Sequence, residues 1–174
     1  LKGTRIDGSA ELAAPSEIVD ATLGALPVER RQLHESYDEF VPRIDQVARQ
    51  FIFNAYLELG WEPRIGDLVE VGRHMRQLNI ADHHRKLVFG QLTALAECGW
   101  LKQTGEEIWE VVELPETVRA IDLLDRIAVD FPQFSPEIAL QRQTGPNLAG
   151  VLSGQIDPLE VLFPGGSSDL METF

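Results

Sequence analysis

Histidine and cysteine are the side chains of this sequence best suited to metal binding or nucleophilic chemistry. The neighbouring pair His83 and His84 follows His74 by nine and ten residues. Adjacent residues on a helix point about 100° apart, whereas two ligands of one metal need a spacing of three or four residues. No cysteine or second carboxylate near His74 completes a ligand set. We therefore predict no metal site, and we expect a surface or capping role for the histidine pair.

The sequence also has no spacing typical of a nucleophile with its base, and no isolated carboxylate pair on one helix. Cys98 stands at the end of a helical pattern beside Gly99, which favours core packing over nucleophilic attack. No GxGxxG motif opens a strand-to-helix turn, and strands and helices do not alternate as a nucleotide-binding fold requires. We therefore predict that this chain contains no catalytic residue and holds no cofactor.

The charge of the chain limits its partners. Its 174 residues include 15 Lys and Arg against 28 Asp and Glu, a formal net charge of −13. Residues 63–103 contain six basic and four acidic residues, whereas residues 104–174 contain three and thirteen. An acidic surface repels phosphate backbones and anionic lipid. We therefore expect neither nucleic acid nor a membrane as a partner.

The apolar runs, such as residues 87–89 and 161–163, are far shorter than the ~20 residues of a membrane-spanning helix. The single cysteine cannot form an internal disulfide, which favours the reducing cytoplasm as the compartment. The sequence opens on Leu1 without a signal-peptide pattern, and we interpret it as an excised fragment.

Hydrophobic periodicity predicts a mainly α fold with a small β-hairpin. Residues 1–14 have the composition of a linker, and a short helix is expected after Ser16. The clearest helix starts at a capping box at Ser36 and stops at Gly60. A second helix is predicted over Ile65–Leu78. The other predicted elements are a helix from about Asp82 to Gly99, a hairpin over Trp100–Val112, and helices at residues 116–130, from 135, at 148–152 and at 158–163.

Two helices followed by a hairpin are the order of a winged helix, over about residues 64–113 of a helical domain at residues 15–163. In DNA-binding proteins of that type the second helix reads the major groove. Its counterpart here begins with the polar and basic residues Asp82–Lys86, but acidic side chains at Glu106, Glu107 and Glu110 would repel phosphate. We therefore interpret the unit as a scaffold, and a DNA-binding regulator is the weaker alternative.

The C-terminal sequence VLSGQIDPLEVLFPGGS, residues 151–167, resembles the segment ahead of the cofactor-binding core in methyltransferase domains of modular polyketide synthases. Upstream features are similar to the same family in order and spacing. They are Trp61, the helix carrying His83 to Arg85, the ECGWL run at residues 97–101, and Trp109. The resemblance covers Tyr37 to Phe174, and the LFPGGS run is its specific part.

The resemblance implies a helical lid or adaptor, with residues 164–174 as a connector toward a methyltransferase core that this chain lacks. It implies S-adenosylmethionine as the cofactor of the parent enzyme, and that core and an acyl carrier protein with a phosphopantetheine-bound acyl chain as partners. Catalytic positions would lie beyond the chain. The expected lid–core interface or substrate wall consists of Leu159, Leu162, Phe163 and Pro164. The alternative is a protein–protein interaction or dimerisation adaptor within a multienzyme.

Overall fold

The structure of the protein, a computed structural model, describes residues 28–116, 118–163 and 165. The predicted linker, the helix expected after Ser16 and all of the connector except Gly165 lie outside the described residues. The chain divides into two compact units, Leu1–Glu39 and Phe40–Phe174. The described part of the first unit is the beginning of a long helix.

Helices and a small antiparallel sheet make up the described residues, which confirms the predicted fold class. In chain order the elements are α1 (Val28–Glu58), β1 (Leu68–Glu70), α2 (Val71–Gln77), α3 (Arg85–Glu97), β2 (Leu101–Gly105), β3 (Ile108–Val111), α4 (Ala120–Asp130), α5 (Ser135–Thr144), α6 (Leu148–Leu152) and α7 (Pro158–Leu162). Short 3₁₀ turns lie at Asp82–His84, Pro132–Phe134 and Gly145–Asn147.

The sheet has the strand order β1-β3-β2, and both pairings are antiparallel. The predicted hairpin is confirmed as β2 and β3, whereas the helix predicted over Ile65–Leu78 is wrong in its first half. That part contains β1, in which Val69 lies opposite Trp109. The apolar spacing of Ile65, Leu68 and Val69 fits a helix, but pairing with a strand forty residues away decides the conformation.

Helix α1 begins at Val28, so the predicted capping box at Ser36 is wrong. Residues 29–35, ERRQLHE, are mostly good helix formers and continue the helix upstream. The predicted stop at Gly60 is confirmed. Gly60 has φ 97°, and the N–H of Trp61 donates to the Tyr56 carbonyl at 2.8 Å, which closes the helix end.

One buried cluster is built around Trp109 of β3, which is fully buried. Helices α1, α2 and α3 each contribute to it, through Tyr56, Met75 and Leu92 among others. Leu152 of α6 also belongs to this cluster and is fully buried. Burial of large apolar side chains is the main term that stabilises such an assembly.

A second cluster joins α1 to α4 and α5. Phe40 packs against Phe134 with ring centroids 4.5 Å apart and edge-on against Phe131 at 5.6 Å. Arg43 lies over the Phe131 ring at 5.1 Å and pairs with Asp130 at 2.6 Å. The helix α1 therefore supplies side chains to both buried clusters.

The contact between Gly145 and the Phe51 ring gives a test of this packing. A Cβ at residue 145 would lie 2.5 Å from Phe51 Cδ2, although the backbone there is right-handed helical (φ −57°). Because the ring is 6% exposed and cannot move away, we expect Gly145→Ala to lower the free energy of unfolding by about 1–3 kcal/mol in urea denaturation.

The matched control is Gly90→Ala on α3, where a Cβ would meet no atom within 4 Å. Alanine has the higher helix propensity, so this variant should gain roughly 0.5–1 kcal/mol. Equal unfolding free energies for the two variants would contradict the close packing at Gly145.

Candidate functional site

The C-terminal segment, Leu148–Phe163, folds back on itself through two glycines. Gly154 has φ 73°, and the N–H groups of Gln155 and Ile156 donate to the Gly150 carbonyl at 2.9 and 3.1 Å. A Cβ on Gly150 would lie 2.5 Å from Ile156 Cδ1, so a larger residue there would have to displace the Ile156 side chain. Asp157 then caps α7, because its carboxylate accepts the Leu159 N–H at 2.8 Å.

This segment packs on the turn that precedes α3. The N–H of Ala81 donates to the Leu152 carbonyl at 2.9 Å, and the His84 imidazole forms a hydrogen bond with the backbone of Val151. His84 is 8% exposed, so the predicted surface role is wrong for it, whereas His83 is exposed. Burial lowers the pKa of His84, with a smaller effect from His83, and the bond to Val151 opposes the shift.

The N-terminal end of α3 is therefore covered by other parts of the same chain. The C-terminal segment covers Ala81 and His84, and Arg85 pairs with Glu107 of the hairpin turn. Arg85 is the first residue of α3, where a DNA-reading helix would contact bases. Its charge is instead neutralised within the chain.

The predicted interface residues differ in exposure. Leu159 is 63% exposed, Leu162 and Phe163 are partly buried, and Pro164 lies outside the described residues. The side chain that anchors α7 is Val161, which is 8% exposed and whose carbonyl accepts a hydrogen bond from the Gln143 side chain of α5. The sequence analysis did not single out Val161, because α7 is too short for periodicity to separate its two faces.

His74 lies in an aromatic box and not at a metal centre. Its ring is edge-on to Tyr56 and Trp61, with centroids 4.8 and 5.2 Å apart. The side chain is 2% exposed and its Nε2 has no hydrogen-bond partner, so burial lowers the pKa of His74 to about 4. Beside it the Tyr56 hydroxyl donates to Gln91 Oε1 at 2.7 Å, and burial raises the pKa of Tyr56.

Sequence comparison relates the chain to polyketide synthases. It is 29% identical over 142 residues to the non-reducing polyketide synthase dpmpA of Macrophomina phaseolina, covering 79% of this chain and 6% of that protein. It is 27% identical over 142 residues to the polyketide methyltransferase ustM of Ustilaginoidea virens, covering 76% of this chain and 30% of that protein. The chain thus spans a small part of both relatives. No family model matches it.

Solved structures show the same fold in carbon methyltransferases. The CurJ carbon methyltransferase superposes with a TM-score of 0.74 at 21% identity, covering 90% of this chain and 41% of that one. The CMeT domain of the citrinin polyketide synthase gives 0.62 at 21% identity, covering 92% and 42%. The chain matches an N-terminal region of a polyketide synthase methyltransferase.

The described residues of this chain do not fit S-adenosylmethionine. Their strands are antiparallel, and the one strand that runs directly into a helix, β1 into α2, is closed by its own side chain. Glu70 accepts the N–H groups of Gly72 and Arg73 at 3.0 and 3.1 Å, so it occupies the donors that a bound group would use.

The one cysteine of the sequence, Cys98, lies in an environment that disfavours its reactive form. Burial raises the pKa of the Cys98 thiol, whose Sγ donates to the Leu95 carbonyl at 3.2 Å, so the thiolate is disfavoured. Among the described residues no group of three His, Cys, Asp or Glu side chains is placed to hold a metal ion. No helix within them is long and apolar enough to cross a membrane.

The aromatic box around His74 makes the stability of the protein depend on pH. The pKa of His74 is about 4 in the folded protein, whereas an unperturbed histidine has a pKa of 6.5, so the unfolded chain binds the additional proton between these values. The free energy of unfolding should therefore fall as the pH decreases from 7 to 4, by up to about 3 kcal/mol from this residue. Urea denaturation at several pH values measures the slope.

In His74→Phe an aromatic ring without a titratable proton fills the box, and the slope between pH 4 and 7 should flatten. His34→Gln, which removes an exposed imidazole, serves as the control, and its slope should be steeper than that of His74→Phe. An unchanged slope in His74→Phe would contradict the lowered pKa of His74 in the folded protein.

Proposed function

We propose that this chain is a non-catalytic lid or adaptor portion of a carbon methyltransferase domain in polyketide biosynthesis. The observation that supports the proposal is the asymmetry of the superposition. Nine-tenths of this chain matches 41% of the CurJ carbon methyltransferase, so more than half of that chain has no counterpart here. The lid would then be one portion of the enzyme, and the catalytic core the other.

The physical role of such a lid is enclosure. The core would hold S-adenosylmethionine, which supplies the methyl group when bound, and the acyl chain would arrive on the phosphopantetheine arm of a carrier protein. A lid that closes over the reacting groups excludes water and limits their motion. This role requires an exposed apolar surface and no reactive side chain, and Leu159, at 63% exposure, meets the first requirement.

The proposed contact surface is Leu159, Leu162, Phe163 and Pro164, at the end of the C-terminal segment. Its support comes from the anchoring of α7. Val161 and the cap at Asp157 hold the helix in place, so Leu159 is directed outward from a fixed element. An apolar side chain held rigidly in solvent loses little conformational freedom when another surface covers it.

Substitution of Leu159 in the complete methyltransferase domain tests enclosure. Leu159→Asp would place a charge in the proposed interface, so methyl transfer to a carrier-bound acyl chain should slow by roughly tenfold or more. The affinity for S-adenosylmethionine should stay unchanged, because the cofactor is assigned to the core. Rates follow from mass spectrometry of the acylated carrier protein.

The matched control is Val129→Asp, which adds the same charge at another exposed apolar residue, 81% exposed on α4. This variant should methylate at the wild-type rate. Equal rates for the two variants would exclude the proposed lid surface and leave the adaptor role.

The isolated chain gives an independent test. Titration of its 174 residues with S-adenosylmethionine in a calorimeter should release no binding heat, because the described residues do not fit the cofactor. Saturable binding at micromolar concentration would contradict the assignment of the cofactor to the core.

A further inference from the structure

The two edges of the sheet differ. On the β2 edge the ladder is interrupted by a register shift between Gln103 and Gly105, and Lys102 lies on the exposed face of the strand. Bulges and lysines are devices that keep an edge strand from pairing with another chain. The β1 edge, Leu68–Glu70, has neither. One edge of this sheet is therefore protected, and the other is open.

The open edge presents unused backbone groups. Along β1 the bonds to β3 use alternate residues, because Val111 donates to the Asp67 carbonyl at 2.9 Å and Val71 donates to the Glu107 carbonyl at 3.1 Å. In an antiparallel ladder the residues between these pairs direct their N–H and C=O groups to the opposite side. The N–H and C=O of Leu68 therefore face away from β3.

A cavity of about 430 Å³ lies along this edge. It is bounded by Gly60–Glu62 before β1, by Asp67–Glu70 of the strand region, and by residues of α2 that include His74. The lining carries three carboxylates and one guanidinium, namely Glu62, Asp67, Glu70 and Arg73. Glu70 caps α2 and Asp67 Oδ2 accepts the Arg64 N–H at 2.9 Å, but both carboxylates keep their charge, so the lining has a net negative charge.

Leu68 of β1 and Ile65, in the turn that precedes the strand, are exposed apolar side chains. Ile65 is 69% exposed and Leu68 is 64% exposed, the highest values among the large hydrophobic residues of the region between α1 and α2. Strand addition to an open edge combines backbone hydrogen bonds with contacts to alternate side chains. An occupant of this edge would therefore be extended, would carry basic residues for the carboxylates, and would alternate them with apolar ones.

We propose that the β1 edge binds an extended basic segment of a partner polypeptide, which adds to the sheet as a strand next to β1. The Leu68 N–H and C=O would pair with its backbone, and Glu62 and Asp67 would attract its lysine or arginine side chains. This site is separate from the lid surface at Leu159 and requires neither cofactor nor carrier protein. The proposal goes beyond the proposed function, and its test does not depend on that function.

A labelled peptide tests the proposal on the full chain. The probe is fluorescein-labelled acetyl-Val-Lys-Val-Arg-Val-Lys amide, and its fluorescence polarisation is measured against increasing protein concentration. We expect saturable binding that weakens with added salt, because exposed charges are screened. The sequence-matched acidic peptide, with Glu at every basic position, should not bind. Absence of saturable binding by the basic probe would overturn the proposal.

Two proline variants separate strand addition from charge attraction. Leu68→Pro removes the outward N–H of β1 and is compatible with an edge strand, whereas Gln103→Pro removes an outward N–H at the edge of β2. Circular dichroism establishes that each variant is folded. Leu68→Pro should weaken probe binding by roughly tenfold or more, and Gln103→Pro should leave it unchanged. Equal affinities would overturn the assignment to the β1 edge.

Two further comparisons do not depend on proline. A probe with N-methyl groups on alternate residues keeps its charge but cannot form the ladder, so it should lose binding. Glu62→Gln should weaken binding of the unmodified probe, whereas Glu106→Gln in the hairpin turn should not. Full binding by the N-methylated probe would show attraction by charge alone and would contradict strand addition.

Discussion

Burial of Leu152 is the constraint on which the arrangement of the second unit depends. Its side chain is fully enclosed in the cluster around Trp109, and its carbonyl accepts the Ala81 N–H at 2.9 Å. For this contact to form, helix α6 must lie against the turn between α2 and α3. The C-terminal segment is therefore integral to the fold of the β1-to-β3 region, and its glycines serve that contact.

Two titratable side chains with shifted pKa values contribute to the packing of the fold. The pKa values of His74 and Cys98 are shifted by burial; His74 lies against aromatic rings and Cys98 lies at the end of α3. The described residues present two surfaces for contact with another protein. One is the exposed apolar side of α7, and the other is the open edge of β1.

Sequence reasoning succeeded where the signal is local. The helix end at Gly60 needs only neighbouring residues, and the hairpin follows from the pattern over Trp100–Val112. It failed where distant residues decide. Strand β1 exists because β3 pairs with it, and His84 is buried because α6 covers it. Of the expected site, the exposed Leu159 was named, whereas Val161, which holds it in place, depends on α5 and was missed.

Helix α1 runs through both buried clusters, with Phe40, Val47 and Phe51 in one and Tyr56 in the other. Loss of helical structure between Val47 and Tyr56 would remove support from both clusters. Amide groups in that stretch are consequently expected to exchange with solvent only on global opening, so that the two clusters form a single cooperative folding unit. The residues that form these two clusters would then move as one rigid body.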